Sequence, residues 1–496
     1  MNHLILLPVI LPMLAGALLL FLANADKKPK RVLSLVFVLL NLVVAWVLLN
    51  QSLDNQILVY SMSNWQSPIG IVFVLDRLSA LLVLLTACLA IPALIYGIRK
   101  DAIISRNYHA LFHFQLMGIQ GAFLTGDLFN LFVFFEILLI ASYGLLMHGG
   151  GVDRTKASLH YVILNLIGSA IFLIGIGILY GITGSLNMVA IGQQLPELDP
   201  LSQQLALVAG IILLFVFGLK AAILPINLWL ANAYSSAAPS IAALFAIMTK
   251  VGIYAIMRVH GLLYFDQPAF AAIGQWLWLL ALATIAMAVV GLLAARTLKR
   301  MASQLVLISI GTSLAALAQQ DELLMGAMLF YLIHSTLITA ALFLLADLIA
   351  EQRGSAKDFL TSAQPLKQAN LLGALFMILA ISLVGLPPLS GFIGKLGILQ
   401  ASQGLAQAHW LWILMLSAGF AALISFGRAG STIFWRTSLQ SPSSQSASKS
   451  QLFACLLLIS STVVLTLYAQ AVIDFCQQAA IQAMHLPNYS FSVLGG

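Results

Sequence analysis

An all-α polytopic membrane protein is the fold class this sequence predicts, and three observations predict it. Hydrophobic residues fill 61% of the 496 positions and charged ones 8%, whereas soluble domains carry about 25% charged residues. The apolar runs are about 18 to 28 residues long between polar breaks, matching the roughly 20 residues a helix needs to cross a bilayer. Lysine and arginine collect in alternate loops, as cytoplasmic loops require.

The runs give about fourteen spans. They lie near 4–23, 32–50, 72–97, 107–125, 127–147, 158–181, 204–227, 238–262, 272–295, 303–319, 322–350, 369–402, 409–435 and 451–478. The first has no basic segment before it and no small-residue cleavage site after it, so it reads as a retained helix.

One set of loops holds Lys27, Lys28, Lys30 and Arg31, then Arg99, Lys100 and Arg106, then Arg154 and Lys156. It continues with Arg296, Lys299 and Arg300, then Arg353, Lys357 and Lys367, then Arg428, Arg436 and Lys449. The opposite loops, including 52–70, 183–202 and the Asp321/Glu322 turn, hold essentially none. Both termini are therefore expected on the outer side of the membrane. The net charge of +7 follows from this loop bias, so the expected partner is the lipid bilayer and no nucleic acid. Cys88, Cys455 and Cys476 have no ligand spacing, so neither a disulfide framework, a metal site nor another cofactor is expected.

Two spans contain helix breakers at membrane depth. The seventh has Pro225 five residues after Lys220, and the twelfth has Pro387, Pro388 and Gly391 shortly before Lys395. Proline lacks the backbone donor and clashes with the preceding turn, so each span should be broken there. Breaks of this kind survive in lipid where protein or a water-filled cavity satisfies the freed groups. The two broken spans run in opposite directions, as inverted repeats of spans four to eight and nine to thirteen would. The expected division is 1–106 for the N-terminal helices, 107–262 and 263–436 for the repeats, and 437–496 for a loop rich in Ser and Gln plus the last helix.

Eighteen of the 23 Lys and Arg residues sit in the basic loops, leaving Arg77, Lys220, Lys250, Arg258 and Lys395. A charge at the bilayer centre costs at least about 2.5 to 3.5 kcal/mol, which makes each a functional candidate. Among acids Glu136 stands alone in depth, on the order of 14 Å into its helix. Removal from water disfavours the charged form of a lysine, and a nearby carboxylate favours it. Glu136 and Lys220 are expected to form a switched ion pair, with Lys220, Lys250 and Lys395 as successive proton stations. His334, whose side-chain type titrates near neutrality, suits a relay between Lys250 and Lys395 or a helix-packing hydrogen bond. Asp127 reads as a helix N-cap. Asp76 and Arg77 read as an interfacial salt bridge and Arg258 as a snorkelling anchor. His109, His113, His148, His160 and His260 read as interfacial.

These residues resemble a family, the antiporter-like subunits shared by Mrp/Pha multisubunit cation/proton antiporters and respiratory complex I. FLTGDLFNLFVFFEILLIASYGL (Phe123 to Leu145) is similar to the fifth-span signature of the Mrp D-type subunit. FGLKAAILPINLWL followed by AAPSIAALFAIMTKVGIYAIMR (Phe217 to Arg258) resembles the family's lysine-bearing seventh and eighth helices, and SLVGLPPLSGFIGKLGIL (Ser382 to Leu399) its broken twelfth. The resemblance implies fourteen helices, two inverted five-helix repeats, and a proton route through Glu136, Lys220, Lys250, His334 and Lys395. It implies partner subunits of the A, B, C, E, F and G types, transport of H+ against Na+ or K+, and a bacterial inner membrane. The other reading is a proton-pumping subunit of complex I or of a membrane-bound hydrogenase. In two places the sequence departs from the family pattern. Thr339 stands where many relatives carry a lysine, so the His334 step is expected to rest on His334 and water, and Asn232 replaces a frequent acid.

Overall fold

The computed structural model describes residues 3–24, 26–54, 56–100, 107–264, 268–438, 441 and 444–494. Arg106 of the basic loops, and 439, 440, 442 and 443 of the Ser/Gln-rich loop, lie outside the described residues. The first half contains α1 (Leu7–Phe21), α2 (Lys27–Gln51), α3 (Arg77–Arg99), α4 (Tyr108–Leu124), α5 (Leu128–Leu146), α6 (Val152–Thr183), α7 (Pro200–Ala221) and α8 (Leu228–Ser236). There follow α9 (Pro239–Phe245), α10 (Met248–Ala255), α11 (Pro268–Leu293), α12 (Leu298–Ala318), α13 (Glu322–Glu351), α14 (Ala369–Val384) and α15 (Ser390–Ala401). The chain closes with α16 (Ala408–Gly430), α17 (Lys449–Leu467), α18 (Ala469–Met484) and α19 (Leu486–Leu494). Among the described residues, twelve helical stretches are long and apolar enough to cross a membrane. The chain is a multi-pass membrane protein.

Several expected spans differ in detail. The start of the third run, Val72–Leu75, is a strand paired antiparallel with Leu58–Ser61, since its β-branched and aromatic residues suit a pleated surface. The helix begins only at Arg77, where Asp76 accepts from the Ser79 amide and the Ser79 hydroxyl accepts from the Asp76 amide, a reciprocal capping box. Asp127 caps α5 as expected, accepting from the Asn130 amide at 2.8 Å.

The seventh run ends at Ala221. Ala222 turns left-handed (φ 63°), the Ile223 amide bonds Gly218 O, and the Ala222 amide bonds Leu219 O. This is a Schellman stop placed just ahead of Pro225, and 228–236, outside the expected spans, is helical. The eighth run also breaks, with no proline at the break. Ala246 and Ile247 bond three residues back, to Ala243 and Leu244, and the Phe245 carbonyl accepts the Tyr234 hydroxyl at 2.7 Å. Past α10 the helix widens to π over Ile256–His260. The twelfth run breaks between α14 and α15 as expected. The fourteenth stops at Tyr468, and α18 leaves the apolar run with Gln470, Asp474, Gln477, Gln478 and Gln482 among its residues.

The centre of the molecule is formed by Pro239–Leu263 and by α13, the two stretches most completely enclosed by neighbours. On α10, Gly252 lies so close to α7 that a Cβ there would come within 2.4 Å of the Ala221 amide nitrogen. That contact sets the lysine-bearing end of α7 against the lysine-bearing helix α10.

Candidate functional site

Lys220, the next-to-last residue of α7, is 6% exposed. Its ammonium donates to Asn165 Oδ1 on α6 at 3.1 Å and lies 5.9 Å from the centre of the Phe135 ring. Glu136 is only half-buried and accepts a short hydrogen bond from the Ser169 hydroxyl. The expected direct ion pair is absent among the described residues. Instead α6 stands between the two: Asn165 and Ser169 are one helical turn apart and therefore share a face. Lys220 and Glu136 each bond that face of α6, and Phe135, next to Glu136 in the chain, brings its ring to Lys220.

Lys250, 1% exposed, donates to Ser309 Oγ on α12 at 3.1 Å. On α13 the Tyr331 ring stacks on His334 with centroids 6.4 Å apart. His334 is 2% exposed. Its Nδ1 lies 2.8 Å from Ser390 Oγ, so it has a hydroxyl partner beyond the water expected from the sequence. A void of about 20 Å³ touches Tyr331, His334, Ser335, Thr339, Leu383 and Lys395, enough for roughly one water.

Lys395 donates to the carbonyls of Leu383 at 3.0 Å and Val384 at 2.7 Å. In an unbroken helix these two oxygens would accept from the amides of residues 387 and 388. Both are prolines and have no such amide. The Pro-Pro pair thus frees two acceptors, and the lysine eleven and twelve residues beyond them occupies both. Gly385, at φ +85°, leaves the space: a Cβ there would stand 2.7 Å from Lys395 Cδ.

Arg258 is no snorkelling anchor. It is 3% exposed and pairs with Asp76, 1% exposed, at 2.6 Å. Its Nε donates to the Tyr254 hydroxyl, and its guanidinium stacks against the Tyr254 and Tyr489 rings. Arg77, adjacent to Asp76, turns away to the Leu53 carbonyl and the Phe475 ring. Four of the five histidines expected at the interface are buried: His113 meets Ser34 at 2.9 Å, His260 meets the Gly210 carbonyl, and His109 and His148 are 4% and 6% exposed.

Composition also passed over Asp347, a buried acid one turn from the end of α13. It pairs with Lys100 at 2.7 Å, lies 3.9 Å from Lys299, and accepts from the Tyr96 hydroxyl at 2.8 Å. Lys100 also reaches Glu351 at 2.8 Å. Burial opposes the charge on Lys100, but Asp347 and Glu351 outweigh it and hold its pKa above the ordinary value.

Among the described residues no carboxylate pairs directly with Lys220, Lys250 or Lys395. All three ammonium groups rest on neutral oxygens. Such a set can give up and regain protons without first breaking an ion pair, and nothing in it resembles a nucleophile with its base.

The family model described as "NADH:quinone oxidoreductase/Mrp antiporter, TM" matches residues 125–425, and the chain belongs to that family. Within it the chain aligns with D-type antiporter subunits over most of its length. It is 39% identical, over 88% of this chain and 87% of the relative, to a probable D-type K(+)/H(+) antiporter subunit from Rhizobium meliloti. It is 34% identical, over 100% of both, to the D-type Na(+)/H(+) antiporter subunit from Bacillus subtilis. A chain in the structure of the Mrp complex from Dietzia sp. DQ12-45-1b superposes with a TM-score of 0.89 at 26% identity, covering 100% of both chains.

Proposed function

We propose that this chain is the D-type subunit of a multisubunit cation/proton antiporter and that protons cross the membrane through its own polar side chains. It is a transporter component and not an enzyme. The observation that carries the reading is the row of buried lysines held by neutral oxygens, with His334 between the second and the third. In order, the stations are Glu136 and Lys220 bridged by α6, Lys250 on Ser309, then Tyr331 and His334, then Lys395 on the two carbonyls freed by Pro387 and Pro388. Each lysine lies beside a helix irregularity: Lys220 before the Pro225 break, Lys250 after the Ala246–Ile247 turn, Lys395 after the Pro-Pro break. Irregular backbone at membrane depth is tolerated where it lines a protein-enclosed or hydrated space, which is what a proton needs in order to enter.

The remaining parts of the reading follow from this one. Residues 107–262 and 263–436 are the two repeats, each with its broken helix. The basic loops face the cytoplasm, the termini face outward, and the membrane is the bacterial inner membrane. The half-buried Glu136 marks the side on which partner subunits can influence the first step, and the exchanged cation is Na+ or K+.

The test is exchange in everted vesicles containing the full complex. Glu136→Ala, Lys220→Ala and Lys395→Ala are each expected to abolish cation/proton exchange while the complex still co-purifies. Full activity in all three would overturn the route and leave the buried charges as packing features.

A further inference from the structure

The His334 step reaches beyond the helices of the two repeats. Ser390 Oγ, which meets His334 Nδ1 at 2.8 Å, lies 2.7 Å from Thr462 Oγ1 on α17. Thr462 in turn lies 2.8 Å from Ser382 Oγ on α14. Ser382, Ser390 and Thr462 are all fully buried. Ser382 immediately precedes Leu383 and Val384, the carbonyl partners of Lys395. Ser382 and Ser390 thus flank the Pro387–Pro388 break on either side, and a threonine from the last membrane helix closes the gap between them. Residue 462 lies outside the 125–425 segment matched by the family model.

A hydroxyl can donate one hydrogen bond and accept others, and its hydrogen rotates to suit. In a chain of three hydroxyls ending on an imidazole nitrogen, all the donors can reverse together. With Nδ1 carrying a proton, the bonds run from His334 to Ser390, to Thr462, to Ser382. With Nδ1 bare, they run the opposite way. Every link survives in both states, so His334 can change its proton without breaking the chain of hydroxyls. No covalent step is involved.

We propose that Thr462 is a positioning residue for proton transfer at His334: it completes a reversible hydroxyl chain, Ser390–Thr462–Ser382, that accommodates both states of the ring and couples them to the helix break holding Lys395. The chain supplies the support that the sequence assigned to water alone. This rests on the proton route of the preceding section. The titratable groups facing His334 are Lys395 from α15 and Tyr331 from its own helix. The other residues around the shared void, Leu305 and Ile308 of α12, Ser335 and Thr339 of α13, Leu383 of α14, and Ala418 and Ala422 of α16, carry no charge.

The experiment compares Thr462→Val, which keeps the shape and deletes the hydroxyl, with Thr462→Ser, which keeps the hydroxyl. Exchange is measured across pH in everted vesicles, with co-purified complex quantified for each variant. Thr462→Val is expected to lower exchange about tenfold, the factor one lost buried hydrogen bond is worth, and to displace the pH profile. Thr462→Ser is expected to retain the wild-type profile and most of the rate. If Thr462→Val does not assemble, Ser390→Ala removes the same link from the other side and is expected to show the same displacement.

A wild-type rate and profile in the hydroxyl-deleted variant overturns the proposal. So does equal loss in the Val and Ser variants, which would mean packing alone. Lys395→Ala in the same vesicles separates the two levels. If it abolishes exchange while Thr462→Val leaves rate and profile unchanged, the hydroxyl chain fails and the route stands. If it leaves exchange intact, the route itself fails and takes the chain with it.

Discussion

The Asp76–Arg258 pair offers a stability test whose size can be worked out from its surroundings. Both side chains are almost wholly buried, at 1% and 3% exposure, and meet at 2.6 Å. Deleting one partner of a buried pair leaves an uncompensated charge and costs about 3 to 5 kcal/mol, or roughly two to four decades in the unfolding equilibrium at about 1.4 kcal/mol per decade. Arg258→Met keeps much of the packing between Tyr254 and Tyr489 and strands the Asp76 carboxylate. Asp76→Asn keeps an oxygen for the Ser79 amide, and asparagine is an equally good N-cap, so its loss is confined to the charge facing Arg258. The double variant strands nothing and is expected within about 1 to 2 kcal/mol of the wild type, because replacing both members of a buried pair is often nearly neutral. Equilibrium unfolding of the detergent-solubilised chain, run as a double-mutant cycle, reads the coupling directly. Additive single effects would refute the reasoning and return Arg258 to the role of an independent anchor.

Other consequences can be checked alongside. Pro387→Ala with Pro388→Ala restores amide donors to the Leu383 and Val384 carbonyls and lets the helix close, so Lys395 loses its acceptors; exchange should fall at least about tenfold in an assembled complex. Asn165→Leu removes the neutral partner of Lys220 and should reduce exchange by about ten- to a hundredfold, with little change in the amount of complex recovered. Asp347→Asn should destabilise the C-terminal end of α13 by a margin that stays constant between about pH 6 and 9 in thermal scans. The sign follows from Lys100, whose folded pKa is raised above its ordinary 10.5. Stability from such a group is complete below the unfolded value and is lost only as pH rises through the folded one, so a margin that shrinks below pH 9 would contradict the assignment.

Much of this is legible in the sequence for one reason. A membrane span must be apolar for about 20 residues, so a lysine inside one is conspicuous, and Lys220, Lys250 and Lys395 declare themselves by cost. Pro225, Pro387 and Pro388 locate two breaks because proline removes a donor at a known position. What stays hidden is set by partners distant in sequence. Arg258 lies toward the end of its own span, yet its carboxylate comes from the start of α3. Asp76 has an arginine next to it, but the helix cap orients the carboxylate away from Arg77. The turn at Ala246–Ile247 has no proline or glycine to announce it; the Tyr234 hydroxyl, from α8, takes up the Phe245 carbonyl. Ser390 and Thr462 are ordinary hydroxyl residues on separate helices, and their meeting depends on how the last membrane helix packs.

Proline carries a further signal. At position i it leaves the carbonyl at i−4 without its helical donor, so each membrane proline names an oxygen in search of a partner. Pro12 names the carbonyl of Pro8, which accepts from the buried Asn41 side chain. Pro387 and Pro388 name those of Leu383 and Val384, which receive Lys395. The same arithmetic yields a structural tie between α1 and α2 in the first case and a charged group at membrane depth in the second. The difference lies in the donor that arrives. An amide brings no charge and no proton to exchange, whereas an ammonium brings both. In a lipid-embedded chain, then, a proline marks where a site can be built, and the side chain within reach of the freed oxygen decides whether it becomes packing or transport.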